Sequence, residues 1–507
     1  MTNDQYALSL ADLLKALPSA YVRGRTDHPV RGVCFDTRQQ VDPQAIFCCL
    51  EGDENDGHRF AQEAVRLGAN VVIAQRAVEL DDDDATLVIV DDSYRALALV
   101  ASELNGHPSR NLRLIGITGT NGKGTIAHVL SAIFKGSDER VGVIGTLGSD
   151  DSKSNIATTM TTPQAPQLQQ QLRAFCDDGV QTVVMEVSSI ALAQDRTLGC
   201  LFDTVVFSNL SHDHLDFHGD METYFEAKAR LFTRYVRDAE TYGKSVTAVL
   251  NGDDEYGRRM LELSVAPVVT YGFSEGCDVL ATDVQLGADG ASFVLQHEGE
   301  KHECATSLIG RFNISNALAA LSVALIQGFR PCVASKSLRS CKPPPGRLES
   351  INGGQPFSVF VDYAHTPDGL EKVLGVVRKL ADGNVILVFG CGGDRDSEKR
   401  PVMGKIASEL ADYVIITSDN PRSECPGTII AQIEDGMLPL ANRCLQPDRR
   451  TAIEHAVDIA KPSDIVLIAG KGHEAYQIIG DRTVYFDDRE IVRQALMHRY
   501  DGAHITC

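Results

Sequence analysis

Short apolar runs alternate with helix-length amphipathic segments along most of the chain, and this alternation is the strongest constraint on its fold. Each run has roughly the four to eight residues of a buried strand. Strands that alternate with helices form α/β layers, in which helices cover a mostly parallel sheet. The clearest predicted strands are Leu114–Thr118, Thr182–Val187, Val385–Phe389, Tyr413–Thr417 and Asp464–Ala469.

Two polar breaks divide the chain into three predicted domains. The chain has 507 residues, and a domain usually has about 100–200. The segment Asn105–Asn111 is polar and contains a proline, and Lys342–Arg347 reads KPPPGR, which continues neither a helix nor a central strand. We therefore expect domains at 1–110, 111–342 and 343–507.

Composition excludes several classes of protein. Lys and Arg total 48 against 69 Asp and Glu, so the formal net charge is −21, which disfavours a protein that coats nucleic acid or an anionic membrane. No apolar run approaches the roughly 18 residues of a membrane helix, and the first residues lack a secretion signal. The 13 cysteines are an odd, irregularly spaced set typical of reduced thiols. We expect a cytoplasmic monomer that neither binds nucleic acid nor inserts into a membrane.

A glycine-rich turn follows the first strand of the middle domain. The run from Leu114 to Thr125 reads LIGITGTNGKGT, and apolar residues then recur at helical spacing from Ile126 to Ile133. Glycines let backbone N–H groups surround phosphate oxygens, while the helix N-terminus and Lys123 add positive charge. The pattern predicts a P-loop-type sheet that binds a nucleoside triphosphate.

Acidic and imidazole side chains follow two further predicted strands. Glu186 ends one of them, where a carboxylate could hold Mg²⁺ or simply cap the next segment. His212, His214 and His218 follow the other, together with two aspartates. This cluster is compatible with zinc, a general base or a magnesium and phosphate environment. By composition alone, Lys228 is a surface charge on an amphipathic helix.

These segments together resemble the muramyl ligase family in both content and order. The matching motifs are GTNGKGT (119–125), TTP (161–163), MEVSS (185–189), NLSHDHLDFHG (209–219), YFEAK (224–228), GRFNISN (310–316) and PGRLE (345–349). The segments Asp36–Arg38 and Ile46–Gly52 resemble that family's uridine-nucleotide-binding domain. The resemblance implies an ATP-dependent enzyme that adds an amino acid to a UDP-N-acetylmuramyl peptide through an acyl phosphate.

The resemblance also implies roles for individual residues. Lys123, Glu186, His214 and Lys228 would be catalytic. The implied Mg²⁺ ligands are Thr125, Glu186, His214 and Lys228, the last in its N6-carboxylated form. ATP contacts are implied for Gly119, Thr120, Asn121, Gly122, Lys123, Gly124, Thr125, Asn313, Asn316, Arg347 and Asp362. UDP-muramyl-peptide contacts are implied for Thr37, Thr161, Thr162, Ser188, Gln194 and Arg196.

Three predicted strands of the last domain each end in a polar turn. Ligands of a doubly wound, Rossmann-like sheet lie beyond the carboxyl ends of its strands, so we expect these turns to share one crevice. The turn DNPR (419–422) resembles the family branch that adds meso-diaminopimelate, whose second carboxylate suits a guanidinium. The residues implied for this amino acid are Arg395, Asp419, Asn420, Pro421, Arg422, Gly470 and Glu474.

Two departures from the family pattern keep alternatives open. Gly124 follows the loop lysine where that branch usually has a hydroxyl residue, so Thr125 is expected to supply the hydroxyl; Ile190 stands where the family commonly has histidine. One alternative is a ligase like folylpolyglutamate synthase, which generally lacks the first domain and the DNPR turn. Another is a nucleotide-binding relative with impaired catalysis.

Overall fold

The computed structural model describes residues 8–38, 41–52, 55–146, 148–150, 155–156, 160–287 and 290–501. Three main sheets follow one another along the chain, and helices cover them. The α/β fold class predicted from the alternating apolar pattern is confirmed.

The first sheet has five strands in the order β2-β7-β6-β5-β4, with β2 antiparallel at its edge. β1 and β3 form a separate antiparallel pair. The elements are β1 (Leu8–Ser9), α1 (Leu10–Leu13), β2 (Tyr21–Arg23), β3 (Pro29–Val30), β4 (Gly32–Cys34), β5 (Ala45–Cys48), α2 (Ala61–Arg66), β6 (Val71–Ala74), β7 (Thr86–Ile89) and α3 (Ser93–Leu104).

The second sheet has 11 strands in the order β11-β10-β9-β12-β8-β13-β14-β15-β16-β17-β18. The strands from β9 to β16 in this order pair in parallel, and the strands at both ends are antiparallel. The elements are β8 (Arg113–Thr118), α4 (Lys123–Lys135), β9 (Val141–Gly145), β10 (Gly148–Asp150), β11 (Asn155–Ile156), α5 (Ala165–Asp177), β12 (Thr182–Glu186), α6 (Ser189–Ala193), β13 (Thr204–Phe207), α7 (Leu215–His218), α8 (Met221–Ala229), α9 (Arg234–Thr241), β14 (Thr247–Asn251), α10 (Glu255–Leu263), β15 (Val268–Gly272), β16 (Val279–Gly287), β17 (Gly290–His297), β18 (Glu300–Thr306), α11 (Arg311–Ile326) and α12 (Pro331–Ser340).

The third sheet has six strands in the order β19-β20-β24-β21-β22-β23, all parallel except β19 at the edge. β25 and β26 form a separate antiparallel pair. The elements are β19 (Glu349–Ser350), β20 (Ser358–Asp362), α13 (Pro367–Leu380), β21 (Val385–Phe389), α14 (Lys399–Leu410), β22 (Tyr413–Ile416), α15 (Pro426–Glu434), β23 (Arg443–Leu445), α16 (Arg449–Ile459), β24 (Ile465–Ala469), β25 (Tyr476–Ile479), β26 (Arg482–Tyr485) and α17 (Asp488–Asp501).

Helices cover both faces of the third sheet, as a doubly wound fold requires. On β21, Leu387 packs with the buried residues of α13, α14 and α15, whereas its neighbour Ile386 packs with those of α16 and α17. This follows from the strand geometry, because successive side chains point to opposite faces. The carboxyl ends of β21, β22 and β24 therefore lie at one edge between two helical layers.

Small side chains pack α3, which lies beside the first sheet, against α5, which lies beside the second. Ala98 and Ala101 of α3 pack with Ala165 of α5 and with Leu198, and all four are buried. Alanines allow two helices to approach closely, so this contact fixes the first sheet beside the second.

All five strands predicted from apolar runs are present, to within one residue at each end. The segment 342–344 continues neither a helix nor a strand, as its prolines predict. None of the helices in the described part of the chain combines the length and apolar character needed to cross a bilayer.

Candidate active site

The glycine-rich turn lies between β8 and α4 and is closely packed. Gly119 and Gly122 have φ values of +144° and +90°, which side-chain-bearing residues rarely adopt. A Cβ atom at Gly119 would overlap Ser208 Oγ, and one at Gly122 would overlap Asn316 Oδ1. Only glycine fits both positions, so the turn can close tightly around a ligand at the N-terminus of α4.

Lys123 begins α4 and folds back over the turn. Its Nζ donates to the carbonyl oxygens of Gly119 and Thr120, each at 2.9 Å. Burial lowers the pKa of Lys123, while the charges of Glu186 and Asp213 oppose that shift. The amine is therefore held by two weak neutral acceptors that an anionic ligand can replace.

Glu186 ends β12 and faces the first turn of α4. Its carboxylate is 2% exposed and accepts from both the backbone N and Oγ1 of Thr146, at 2.7 and 3.2 Å. A Cβ atom at Gly124 would lie 3.4 Å from Glu186 Oε1 and 3.7 Å from Arg347 Nη2. Thr125, the next residue of this turn, is also buried. A carboxylate and a hydroxyl are hard oxygen donors of the kind that Mg²⁺ prefers.

Lys228 is buried on α8, so the interpretation of this lysine as a surface charge is wrong. It is 1% exposed, its Nζ donates to Gly119 O at 3.0 Å, and it lies 4.5 Å from the centre of the Tyr224 ring. Burial and the neighbouring Lys123 hold its pKa well below the usual range. A buried lysine amine with a lowered pKa therefore lies directly beneath the glycine-rich turn.

The three histidines of the histidine and aspartate cluster each contact a different residue. His212 Nε2 lies 3.1 Å from Asp396 Oδ2 of the third sheet's first polar turn, and His218 Nε2 lies 2.9 Å from Ser189 Oγ. His214 has φ +55°, and its Nε2 lies 3.3 Å from Asp213 Oδ2. Within the described ranges, no group of three or more His, Cys, Asp or Glu side chains could hold a metal ion. The zinc alternative therefore lacks a ligand set there.

Opposing electrostatic effects act on Asp213 and His214. Burial raises the pKa of the Asp213 carboxyl, but the charges of His214, His365 and Lys399 outweigh it and lower this pKa to about 2. Burial lowers the pKa of His214, and Asp213 opposes that shift. Asp213 is therefore a fixed negative charge beside a predominantly neutral imidazole at neutral pH.

A cavity of about 580 Å³ lies between the second and third sheets at the glycine-rich turn. It brings together seven of the residues implied for ATP: Asn121, Gly122, Thr125, Asn313, Asn316, Arg347 and Asp362. Asn316 Nδ2 donates to Asn313 Oδ1 at 3.1 Å on α11. Arg347 stacks over the Tyr363 ring at 4.6 Å. The remaining implied ATP residues, Gly119, Thr120, Lys123 and Gly124, belong to the adjoining turn.

Five residues implied for the UDP-muramyl peptide form a cluster beside β12. Thr162 Oγ1 donates to Glu186 O at 2.9 Å and accepts from Ser188 N at 3.0 Å. Arg196 binds Gln194 Oε1 through Nε and Nη2 and also donates to Thr162 O. Thr161 joins them through Thr146 Oγ1 at 3.4 Å. Thr37 lies apart from them in the turn after β4, where its hydroxyl donates to Glu63 at 3.2 Å.

The three polar turns of the third sheet contact one another. Asn420 Nδ2 donates to Glu474 Oε2 at 3.0 Å, and Arg422 Nη1 donates to Gly393 O at 2.6 Å. A Cβ atom at Gly470 would lie 2.5 Å from Asp419 Oδ2. Arg395 is exposed next to this site, and Pro421 is buried in the turn. The structure thus brings together all seven residues implied for the amino acid.

Charges of both signs share this crevice. Burial lowers the pKa of Arg422, with Arg395 adding to the shift and Asp419 and Glu474 opposing it. Burial and the charge of Asp419 raise the pKa of Glu474. With Lys471, whose Nζ lies 3.3 Å from Glu474 Oε2, this partly buried crevice has three cations and two carboxylates, which match a ligand that itself carries both signs.

Sequence reasoning missed two residues that join these sites. Lys471 has a fully buried side chain whose Nζ lies 3.2 Å from Asn420 Oδ1 and 3.3 Å from Glu474 Oε2; its place between the two glycines of GKGHE was an available signal. Asp368 accepts from Asn121 Nδ2 at 2.8 Å and so joins the third sheet to the glycine-rich turn. No local sequence pattern identifies Asp368 as a site residue, because its contact with Asn121 spans 247 residues of sequence.

Comparison with known proteins decides the family. The family model of the Mur ligase middle domain matches residues 117–324, and that of the Mur ligase glutamate ligase domain matches residues 346–472. A protein of Geobacillus thermodenitrificans is 41% identical over 97% of this chain and 100% of its own length. The chain belongs to the Mur ligase family. Another relative, from Halalkalibacterium halodurans, is 43% identical with the same coverage of both chains. Both relatives are named UDP-N-acetylmuramoyl-L-alanyl-D-glutamate--2,6-diaminopimelate ligase.

Solved structures share the fold of this Mur ligase. A structure of a ligase with that same name is 32% identical, covers 98% of this chain and 100% of its own, and has a TM-score of 0.67. The MurF ligase of Thermotoga maritima in complex with ADP is 19% identical, with 93% and 99% coverage and a TM-score of 0.64. A folylpolyglutamate synthase of Mycobacterium tuberculosis covers 79% of this chain and 94% of its own at 20% identity and a TM-score of 0.61. The last two show similarity of fold alone.

Proposed function

We propose that this Mur ligase adds meso-2,6-diaminopimelate to UDP-N-acetylmuramoyl-L-alanyl-D-glutamate, with ATP converted to ADP and phosphate. The names of the relatives at about 40% identity support this reaction. ATP, the nucleotide-sugar peptide and the amino acid are its small-molecule substrates, and we place the enzyme in the cytoplasm as a monomer. The residues 1–110, 111–342 and 343–507 would bind the UDP precursor, ATP and the amino acid, respectively.

The observation that carries the choice of amino acid is the position of Arg422. Its guanidinium is partly buried among Arg395, Asp419 and Glu474 and donates one hydrogen bond to Gly393 O. The remaining N–H groups can donate to a carboxylate in a bidentate pair. The far end of diaminopimelate has such a carboxylate, whereas lysine has only an amine. Asp419, Glu474 and the Gly470 carbonyl would bind the ammonium group.

The nucleotide would occupy the cavity beside the glycine-rich turn. Its phosphates would take the place of the Gly119 and Thr120 carbonyls as acceptors for Lys123. The adenine would lie against Asn313 and Asn316, and Arg347 and Asp362 would contact the nucleotide from the third sheet. Backbone N–H groups at the start of α4 favour anions at this point.

Magnesium would be held by Thr125, Glu186, His214 and carboxylated Lys228. The unmodified Lys228 is a hydrogen-bond donor to Gly119 O, but its low pKa favours the neutral amine that reacts with carbon dioxide. That reaction forms an N–C bond and releases a proton, which leaves an anionic oxygen ligand. Bound magnesium supplies neutralisation of phosphate charge during transfer.

The chain's own residues would act chiefly by position and charge. The terminal D-glutamate carboxylate attacks the γ-phosphate, ADP leaves, and the amine of the amino acid then attacks the acyl phosphate and displaces phosphate. Lys123 stabilises the phosphoryl oxygens during the first step. Thr37, Thr161, Thr162, Ser188, Gln194 and Arg196 would hold the UDP-muramyl dipeptide. Orientation of the three reactants at the junction of the sheets reduces the entropy cost of the reaction.

One assay tests both the reaction and its specificity. ADP release is measured with the UDP-muramyl dipeptide and, in turn, meso-diaminopimelate, L-lysine and L-ornithine, and separately with a folyl substrate. The mass of each product is determined by mass spectrometry. We expect release and a ligated product with diaminopimelate. A preference for lysine would overturn the choice of amino acid, and release with a folyl substrate instead would favour the synthase-like alternative. Absence of release with every substrate would favour the non-catalytic alternative.

A further inference from the structure

Two arginines are the largest fully buried side chains in the described part of the chain. Arg400, on α14, and Arg449, on α16, are each 1% exposed. Both belong to the third sheet's helices, and neither has a role in the site described above. Their contacts lead directly to the three polar turns of the amino-acid crevice.

Arg449 links the second and third of these turns. Its Nη1 donates to Ser418 O at 3.2 Å, and its Nη2 donates to Ala469 O at 3.0 Å. These carbonyls belong to the residues immediately before Asp419 and Gly470. Asp488, at the start of α17, holds the guanidinium from the other side through bonds of 2.8 and 2.7 Å to Nε and Nη2. One planar group thereby sets the distance between two turns.

Arg400 links the first turn to the second through the side chain of Glu424. Its Nη2 donates to Gly392 O at 3.0 Å, and both terminal nitrogens donate to the carboxylate of Glu424. Glu424 follows Arg422 by two residues, and its Oε1 accepts from Asp394 N at 2.6 Å. The two arginines together therefore connect all three turns.

Stability alone does not explain why the ion pair between Arg449 and Asp488 is buried. Removal of an ion pair from water is costly, and apolar residues of similar volume often replace a buried pair without loss of stability. The side chains of Arg449 and Asp488 are both completely buried. What an apolar pair could not provide is the set of donors that fixes backbone carbonyls at two strand ends.

We propose that Arg449 and Arg400 are positioning residues for the amino acid, which rests on the function proposed above. A ligand with two carboxylates and two amines must be held at both ends, so the turns that hold it must keep a fixed separation. The guanidinium of Arg449 sets this separation for Asp419 and Gly470, and that of Arg400 sets it for Gly392 and Arg422. Neither arginine touches the substrate.

The test uses a paired substitution that leaves no unpaired buried charge. The double variant Arg449→Met with Asp488→Leu removes both charges and keeps similar volumes. The matched control is Arg378→Met, because Arg378 pairs with Asp412 and donates to Gly383 O at the opposite edge of the same sheet. The KM values for meso-diaminopimelate, ATP and the UDP precursor are measured in each full-length protein, together with the midpoint of thermal unfolding.

We expect the double variant to fold and to raise the KM for meso-diaminopimelate by about 10- to 100-fold, because small misplacements of binding groups are that costly. The KM for ATP should change by less than about twofold, as expected when only contacts to the amino acid are disturbed. Arg378→Met should leave all three KM values unchanged. Arg449→Lys and Arg400→Lys keep the charge but cannot bridge two acceptors, so each should show the same selective rise.

The outcomes separate this inference from the proposed function. Wild-type enzyme that ligates no diaminopimelate overturns both. If the wild-type enzyme ligates diaminopimelate and the folded double variant has an unchanged KM for it, the positioning role alone is overturned. If the double variant fails to fold, the two lysine variants decide by the same comparison. Lysine variants with wild-type KM values, or loss of fold in every variant, would assign the arginines to folding and overturn the inference.

Discussion

Lys228 is the residue at which burial and chemical role are most closely connected. The substitution Lys228→Ala removes the proposed anionic magnesium ligand, so we expect ligation to fall by hundreds-fold or more, roughly the scale of losing a metal contact in the transition state. The variant should still fold, because no ion pair is lost, and thermal unfolding checks this. The measurement is ADP release in buffers with and without bicarbonate.

A lysine on the same protein's surface provides the control. Lys405 lies on α14 with 63% of its side chain exposed, so Lys405→Ala should keep full activity. Partial recovery of the Lys228→Ala enzyme by a short-chain carboxylic acid would support the carbamate. Wild-type turnover in the alanine variant would show that Lys228 is not a metal ligand.

Arg422 is expected to determine the preference for diaminopimelate. Truncation of one partner in a buried, hydrogen-bonded charge pair costs roughly 2–5 kcal/mol. Arg422→Ala should therefore lose most activity with diaminopimelate, while the weak reaction with lysine and the KM for ATP change little. Arg422→Lys should recover only part of the loss, since an ammonium lacks the bidentate geometry. Equal losses with both amino acids, in a comparison of kcat/KM, would contradict this role.

Gly124 and Thr125 can be distinguished by paired alanine variants. A Cβ atom at Gly124 would approach Glu186 only to 3.4 Å, so Gly124→Ala should cause a mild change. Thr125→Ala removes the hydroxyl proposed as a magnesium ligand and should raise the ATP and Mg²⁺ concentrations needed for half-maximal rate much further. Titrations of both variants measure this difference. Equal, mild effects would show that Lys123 and backbone donors are sufficient.

Single residues were predictable only where a motif surrounded them. Lys123 and Glu186 follow from strand, turn and helix patterns that can be recognised locally. The burial of Lys228 could not be predicted in this way. Its helix looks ordinary by composition, and its burial depends on contacts with a loop 109 residues earlier. Arg400 and Arg449 look like surface arginines for the same reason. Burial of a charge is decided by tertiary packing, which a local pattern does not contain.

At the scale of elements, the glycine-rich turn is expected to tolerate no side chain at its first position. Gly119→Ala would force a Cβ into Ser208 Oγ at a φ of +144°. We expect a loss of stability of roughly 1–3 kcal/mol from strain alone and loss of ATP binding. Calorimetric titration with ATP and thermal unfolding measure the two effects.

Gly427 is the matched control for Gly119. It lies exposed near the start of α15, and the nearest atom to an added Cβ is 3.9 Å away. Gly427→Ala should be neutral or slightly stabilising, because alanine favours helices. An equal loss of ATP binding in both variants would show that the effect is not specific to the turn.

The parallel strands could be predicted because they are continuous apolar runs buried on both faces. Those of the third sheet, such as Val385–Phe389, are buried at every position. The strands β16 to β18, which pair with one another in antiparallel fashion, lack such a continuous buried run, since β16 exposes much of its length. The order of the strands in the sheet could not be predicted either, because β8 pairs with β12 and β13 rather than with β9, the next strand in sequence.

At the scale of the whole molecule, polar contacts join the second and third sheets. Asn121 contacts Asp368, His212 contacts Asp396, and His473 contacts the carbonyl of Thr146. The last of these spans 327 residues, and no local sequence pattern specifies such a pairing. The sequence therefore predicts three layered units but not how they meet.

His473 makes this junction sensitive to acid. Burial and the charge of Arg347 lower its pKa to about 4, against about 6.5 in an unfolded chain. The unfolded state therefore binds more protons between these values, so the stabilising contribution is complete above pH 6.5 and is lost as the pH falls toward 4. The loss approaches about 1.4 kcal/mol per pH unit. His473→Gln should flatten the pH dependence of the unfolding free energy in this window, as measured in urea at several pH values. Parallel curves for the two proteins would contradict the assignment.

The carbonyl oxygen of Gly119 accepts hydrogen bonds from both Lys123 and Lys228, at 2.9 and 3.0 Å. A carbonyl oxygen has two lone pairs, so this acceptor is saturated. A displacement of one amine, by an arriving phosphate or by a new substituent on nitrogen, leaves the oxygen with a single donor and strengthens its hold on the other. A change in the protonation or substitution of either lysine therefore alters the hydrogen bond that the other lysine makes to this atom.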